Sequence, residues 1–357
     1  MRQLDDIAGY WFMGTMRTIE AFARGFGSPQ TDPAPVTPYE VIFETSIVRV
    51  RHYTPAKRRH KTPLLFVYAV IKRPYVLDLQ PDKSVVRNLL EQGFDVYLTD
   101  WLPPTKAHAQ LGFDSYVNGE LANAVRAIQI REDVEQVALV GYCFGALLSL
   151  LYTATHPENV KNLVTLALPF DMSVRELPFS NLVDSISEAT VDLITTIYGN
   201  CPAWMMYANF TSMAPVHHAI DKFVGRYRNA ERRGFAETFD LFERWLMSDM
   251  PLAGQMFREF VIDLAKRNAV CNGEFQLGGK TIDLRRITCP VLNVIAEKDD
   301  VVHPSSSVGL PDAVGSTDAR NATFPVGHMG AVVSAIALGK LWPSVGVWLA
   351  ARDSNDN

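Results

Sequence analysis

The sequence predicts an α/β fold in which a mostly parallel sheet is covered by helices, and three observations lead there. A continuous apolar run bounded by breakers stands at 63–70 (PLLFVYAV), and strand-like, largely apolar runs recur at 94–101 (FDVYLTDW), 137–142 (VALVGY), 163–169 (LVTLALP) and 291–296 (VLNVIA). Runs of this kind fit strands buried on both faces. Between them the apolar residues fall at helical spacing, and alternation of strand with helix marks a parallel sheet. The hydrophobic content of 48% against 20% charged, in 357 residues, fills such a core without disulfides.

In chain order, residues 1–38 read as a helical segment followed by a loop broken by Gly25, Gly27, Pro29, Pro33, Pro35 and Pro38. Alternation from Tyr39 to His52 predicts strands with one solvated face. Val85, Val86, Leu89 and Leu90 begin a helix; Val117, Leu121, Ala124, Val125 and Ile128 form a helical stripe; Phe144–His156 is a helix. After Asp171 the rhythm changes, and 172–276 is a mostly helical stretch rich in Phe, Met and Trp. VLNVIA and NATFP (321–325) then resume the sheet. The expected organisation is a core of 39–171 and 277–351, a cap of 172–276, and a flexible tail at 352–357.

The formal charge of −5 argues against nucleic acid, since there is no broad basic excess to neutralise phosphates. The local clusters Lys57–Lys61 and Arg226–Arg233 read as a solvated hairpin tip and a solvated helix face. Four cysteines without CxxC or metal-ligand spacing predict free thiols in a reducing compartment and no metal site. No signal peptide is visible, and the apolar stretch from Ala331 is interrupted by Lys340 and Pro343, too soon for a membrane span. A cytoplasmic protein is the expectation.

The chemistry concentrates in Gly141-Tyr142-Cys143-Phe144-Gly145, between a predicted strand and a predicted helix. This is the nucleophile elbow of the α/β-hydrolase fold with Cys in place of Ser. The turn strains the nucleophile's backbone and requires small neighbours two positions away, which Gly141 and Gly145 supply. The following helix aims its N-terminal dipole at the sulfur, and the Phe144 N–H becomes one oxyanion donor. The second donor is expected from the loop after the strand at 63–69, at the Val70 N–H. A buried structural cysteine in a Gly turn is the bland alternative, and the downstream partners weigh against it. Asp299 follows the strand at 291–296, and His328 follows the strand ending at Phe324, giving the order nucleophile, acid, base. Asp300 and Asp171 stay open as rival acids. His217, His218 and His303 read as cap or surface residues. A thiolate suits acyl transfer from a thioester, because exchange onto Cys keeps the acyl group activated.

These segments resemble the catalytic subunit of short two-component (PhaC-type, class III-like) polyhydroxyalkanoate synthases. The resemblance runs from about residue 39 onward, through FVYAVIKRPYVLDLQPDKS (66–84), DVYLTDW, GYCFG, YTATHPENVKNLVTL (152–166), NGEFQLGGKTIDL (272–284) and ITCPVLNVIAEKDDVV (287–302) into FPVGHMG. It implies Cys143 as nucleophile, His328 as base and Asp299 as acid, acting on (R)-3-hydroxyacyl-CoA and a growing polyester chain. No cofactor is implied, CoA being the leaving group. A second, mostly helical PhaE-like subunit, a dimer or larger oligomer and granule association are implied as well. Phe144, Ala146 and Asp300 stand where such synthases usually carry Gln, Gly and His, which bears on rate and substrate preference. The competing readings are an intracellular depolymerase or thioesterase, a dienelactone-hydrolase-like cysteine hydrolase, and a granule-binding scaffold without activity.

Overall fold

The computed structural model describes residues 32–174, 176, 183, 186–213 and 235–353. The helical segment expected at the N-terminus, the Arg226–Arg233 cluster and His217-His218 lie outside the described residues.

One sheet holds β1 (Glu40–Glu44), β2 (Val48–Tyr53), β3 (Leu64–Val67), β4 (Val96–Trp101), β5 (Val137–Tyr142), β6 (Val160–Leu166), β7 (Val291–Ala296) and β8 (Ala319–Phe324). Their spatial order is β1-β2-β4-β3-β5-β6-β7-β8. β2 runs antiparallel to both β1 and β4, and the pairings from β4 to β8 are parallel. Every residue of β3, β4, β5 and β7 is buried, as a sheet covered on both faces demands. The covering helices include α1 (Val85–Glu91), α2 (Ala122–Glu132), α3 (Phe144–Thr155) and, near the end of the chain, Trp342–Ala350. The Ser84 hydroxyl caps α1 by accepting from the Arg87 N–H. The predicted stripe Val117, Leu121, Ala124, Val125 and Ile128 is wholly buried.

The stretch after β6 contributes α4 (Glu188–Tyr198), α5 (Ala203–Met213), α6 (Phe235–Leu246) and α7 (Gly254–Glu259) before a short hairpin, Gln276–Leu277 with Lys280–Thr281. Cys201 pairs with Leu252 through two backbone hydrogen bonds of 2.8 and 3.0 Å, tying the start of α5 to the segment ahead of α7.

Two expectations need correction. The solvated face predicted through residue 52 exists on β1 but not on β2, where Arg51 and His52 are buried. β2 is an inner strand, so its polar residues are matched by buried charges instead of water. Arg51 donates twice to Asp100, and the two ring nitrogens of His52 meet Glu40 and Asp95 at 2.9 and 2.7 Å. The predicted flexible tail begins too early. Asp353 accepts from the Lys61 and Thr62 backbone N–H groups at 2.9 and 2.8 Å, and Arg352 pairs with Asp318.

Parallel register places Val67, Tyr142, Leu166, Ala296 and Phe324 at one edge of the sheet. The loops leaving that edge carry the candidate chemistry.

Candidate active site

Cys143 leaves β5 with φ 55° and ψ −121°, a backbone state that side chains rarely adopt. Such a conformation costs about 1–3 kcal/mol and persists only where its surroundings enforce it. They do so here. The Cys143 N–H donates to Leu166 O at 2.9 Å, and its carbonyl accepts from Ala146 N at 2.9 Å, so strand and helix meet with no spare residue. A Cβ on Gly141 would stand 2.4 Å from Ala146 Cα, and one on Gly145 would stand 2.0 Å from Val67 O. Both glycines are therefore dictated by close packing. The thiol is half-buried and sits at the N-terminus of twelve-residue α3.

Asp299 lies in the turn after β7, its N–H donating to Ala296 O at 3.2 Å. Its Oδ1 accepts from the N–H groups of Val301 and Val302 at 2.9 and 2.8 Å, which leaves Oδ2 for His328 Nδ1 at 2.8 Å. Two further bonds join the Asp299 loop to the His328 loop: Glu297 N to Phe324 O and Lys298 N to Val326 O, each 2.9 Å. With Nδ1 engaged, the other nitrogen of the His328 ring is left for Cys143, whose sulfur lies near enough to act on the charge of the ring. Burial disfavours the charged ring, but the Asp299 carboxylate and the Cys143 sulfur outweigh it and hold the His328 pKa well above the ordinary imidazole range. Asp299 is buried, whereas Asp300 is exposed. Asp171 turns elsewhere, accepting from the Ser173 N–H and Asn268 Nδ2 at 2.9 and 2.8 Å. His303 faces Ser305.

The two expected oxyanion donors lie on the loop leaving β3 and at the first residue of α3. The N–H groups of Val70 and Phe144 meet no acceptor among the described residues. The Phe144 ring is turned away into an aromatic cluster, stacked on Phe113 with centroids 5.6 Å apart and tilted against Phe260 at 5.2 Å. Tyr142 is a contributor that sequence reasoning passed over. Its buried hydroxyl donates to His328 O at 3.0 Å, and its ring lies 5.0 Å from the His328 ring. The signal was its place next to Cys143.

Among the described residues, His52, Asp95 and Glu132 come close enough together to hold a metal ion. Arg58 already faces both carboxylates, and the group lies at the edge of the sheet opposite Cys143, so the local charge is met by guanidinium. At the other edge, a thiol, an imidazole and a carboxylate in sequence can form and break a thioester.

Comparison with known proteins gives the fold and the family. A family model described as alpha/beta hydrolase fold matches residues 62–334, and one described as Poly-beta-hydroxybutyrate polymerase (PhaC) N-terminus matches 32–89. The monoacylglycerol lipase of Paleococcus ferrophilus superposes with a TM-score of 0.56 over 85% of this chain and 99% of its own, at 16% identity, a likeness of fold alone. The Poly(3-hydroxyalkanoate) polymerase subunit PhaC of Haloferax mediterranei is 37% identical over 88% of this chain, which spans 64% of that relative's length. The Thiocystis violacea subunit of the same name is 36% identical over 89% of both chains. With 36% identity over 89% of such a subunit, the chain belongs to the poly(3-hydroxyalkanoate) polymerase PhaC family, built on the α/β-hydrolase fold.

Proposed function

We propose that this chain polymerises (R)-3-hydroxyacyl groups from their CoA thioesters into polyhydroxyalkanoate, with Cys143 as nucleophile, His328 as base and Asp299 as acid. The observation that carries the reading is the hydrogen-bonded pair His328–Asp299 beside Cys143 at a strained elbow, in a chain of this family. His328 takes the thiol proton, and the sulfur attacks the thioester carbonyl. Charge builds on the carbonyl oxygen, where the N–H groups of Val70 and Phe144 supply donors. The C–S bond to CoA breaks, and CoA leaves with the proton held on His328. The 3-hydroxyl of the next unit then gives its proton to His328 and attacks the acyl carbonyl; the C–S bond to Cys143 breaks, His328 returns the proton to the sulfur, and an oxoester extends the chain. Asp299 keeps the ring oriented and favours its protonated form. The reaction needs no cofactor, because CoA itself is the leaving group. A mostly helical second subunit, self-association and residence on polymer granules complete the reading.

The test is CoA release from 3-hydroxybutyryl-CoA, with and without a helical synthase subunit, with the product recovered. Insoluble polyester with stoichiometric CoA is the expected result. Cys143→Ala should reduce turnover by on the order of 10⁴-fold or more while the fold survives. Soluble hydroxy acid as the sole product would replace polymerisation with hydrolysis, and unchanged polymer yield in Cys143→Ala would leave only a scaffold.

A further inference from the structure

The loop that follows β3 carries Val70, and two residues later it carries adjacent cations that part company. Arg73 turns to the core, donating to Asp32 at 2.6 Å and to Trp101 O at 3.3 Å. Lys72 turns the other way. Its Nζ donates to Asp249 Oδ2 at 2.8 Å and to Leu246 O at 2.5 Å, and lies 5.1 Å from the centre of the Trp245 ring. The backbones repeat the connection, with Met250 N donating to Ile71 O at 3.0 Å and Trp245 Nε1 to Arg73 O at 2.9 Å. Thus 245–250, at the end of α6, is laid along 71–73. Tyr68, at the head of the same loop, is held by Thr99 Oγ1 and Trp101 Nε1 and lies near enough to Cys143 for the sulfur's charge to act on its hydroxyl.

The Lys72–Asp249 pair is a poor stabiliser. Both side chains are almost wholly buried, and Asp249 Oδ1 has no hydrogen-bond partner among the described residues. Burial drives the Asp249 pKa up to about 6 against the attraction of Lys72, and drives the Lys72 pKa down. A buried pair with an unsatisfied oxygen gains little over apolar packing of the same volume. What it does supply is a fixed length and direction between two segments 177 residues apart.

We propose that Lys72 is a positioning residue for acyl transfer: by tying the loop after β3 to 245–250, it holds the Val70 N–H at the place where the oxyanion on a Cys143-bound acyl group develops. The inference rests on the function proposed above and deepens it. Lys72 touches neither substrate nor sulfur in this role. It acts through the loop backbone.

The experiment uses the full chain and Lys72→Met, which keeps the length of the stem and removes the charge. Turnover in CoA release should fall about tenfold with KM changed less than twofold, a smaller effect than the 10²–10³-fold of deleting a donor outright. Amide hydrogen exchange in peptides covering 66–76 should quicken about tenfold. The double variant Lys72→Met/Asp249→Leu removes both buried charges and should unfold no earlier than the wild type, yet keep the low turnover and the fast exchange. Wild-type turnover, or wild-type exchange at 68–73, in either folded variant overturns the proposal. A wild-type protein that releases no CoA would sink the polymerase reading alone, because the exchange comparison still decides whether Lys72 holds the loop.

Discussion

His328 is where burial and charge oppose each other most directly. An imidazole this deeply buried would ordinarily lose its proton, but Asp299 first and Cys143 second reverse the balance. Replacing Asp299 with Asn should therefore lower the His328 pKa markedly, and Cys143→Ala should lower it less, both read from the ring proton shifts during NMR titration. An unchanged or higher value in Asp299→Asn would refute this assignment. A raised native pKa also means that the pair contributes stability below the unfolded imidazole value of about 6.5 and loses it as pH rises through the native value. Asp299→Asn should thus flatten the loss of stability on the alkaline side. Cys143 and His328 were legible in the sequence because spacing and position after a strand define them. The choice among Asp299, Asp300 and Asp171 was not, since it rests on the Val301 and Val302 N–H groups orienting one carboxylate and on Asn268 occupying another. No residue pattern records such orientations.

The β5–elbow–α3 unit depends on contacts with no tolerance. Gly145→Ala would drive a methyl group into the Val67 carbonyl and should destabilise the protein by about 3 kcal/mol or more in urea denaturation. A methyl group on Gly119, in the helical stretch Ser115–Leu121, would meet nothing within 4 Å, and Gly119→Ala should be neutral or stabilising by up to about 1 kcal/mol. Equal effects at the two sites would show that the elbow has slack. Strands such as β5 and β7 match the predicted runs at both ends, because a strand buried on both faces is nearly all apolar. β2 was misread for the converse reason. Buried Arg51 and His52 look like a wetted face until their partners, Asp100 and Asp95, are brought alongside by β4 and the residue before it.

At the scale of the whole molecule, Asp353 is bonded to Lys61 and Thr62, some 290 residues away. Sequence offered no trace of it, because one carboxylate accepting two backbone N–H groups has no periodicity. Burial works against the charge, yet those N–H groups outweigh it and hold the Asp353 pKa below the usual carboxylate value. Its contribution is therefore present above about pH 4 and lost as pH falls through the lowered value. Asp353→Ala should cost about 1 kcal/mol at pH 7, and the difference from wild type should vanish in acid; a difference that persisted at low pH would exclude the charge as its origin.

The same clamp has a practical side. It grips the chain just before Leu64, where β3 begins, whereas the thiol stands beyond Tyr142, where the parallel neighbour β5 finishes. A reporter domain or an immobilisation handle joined directly behind Asp353 would set out from the far rim of the sheet, a strand's length of roughly 13–20 Å from the sulfur. Labelled or surface-mounted enzyme should then leave an emerging polyester unobstructed.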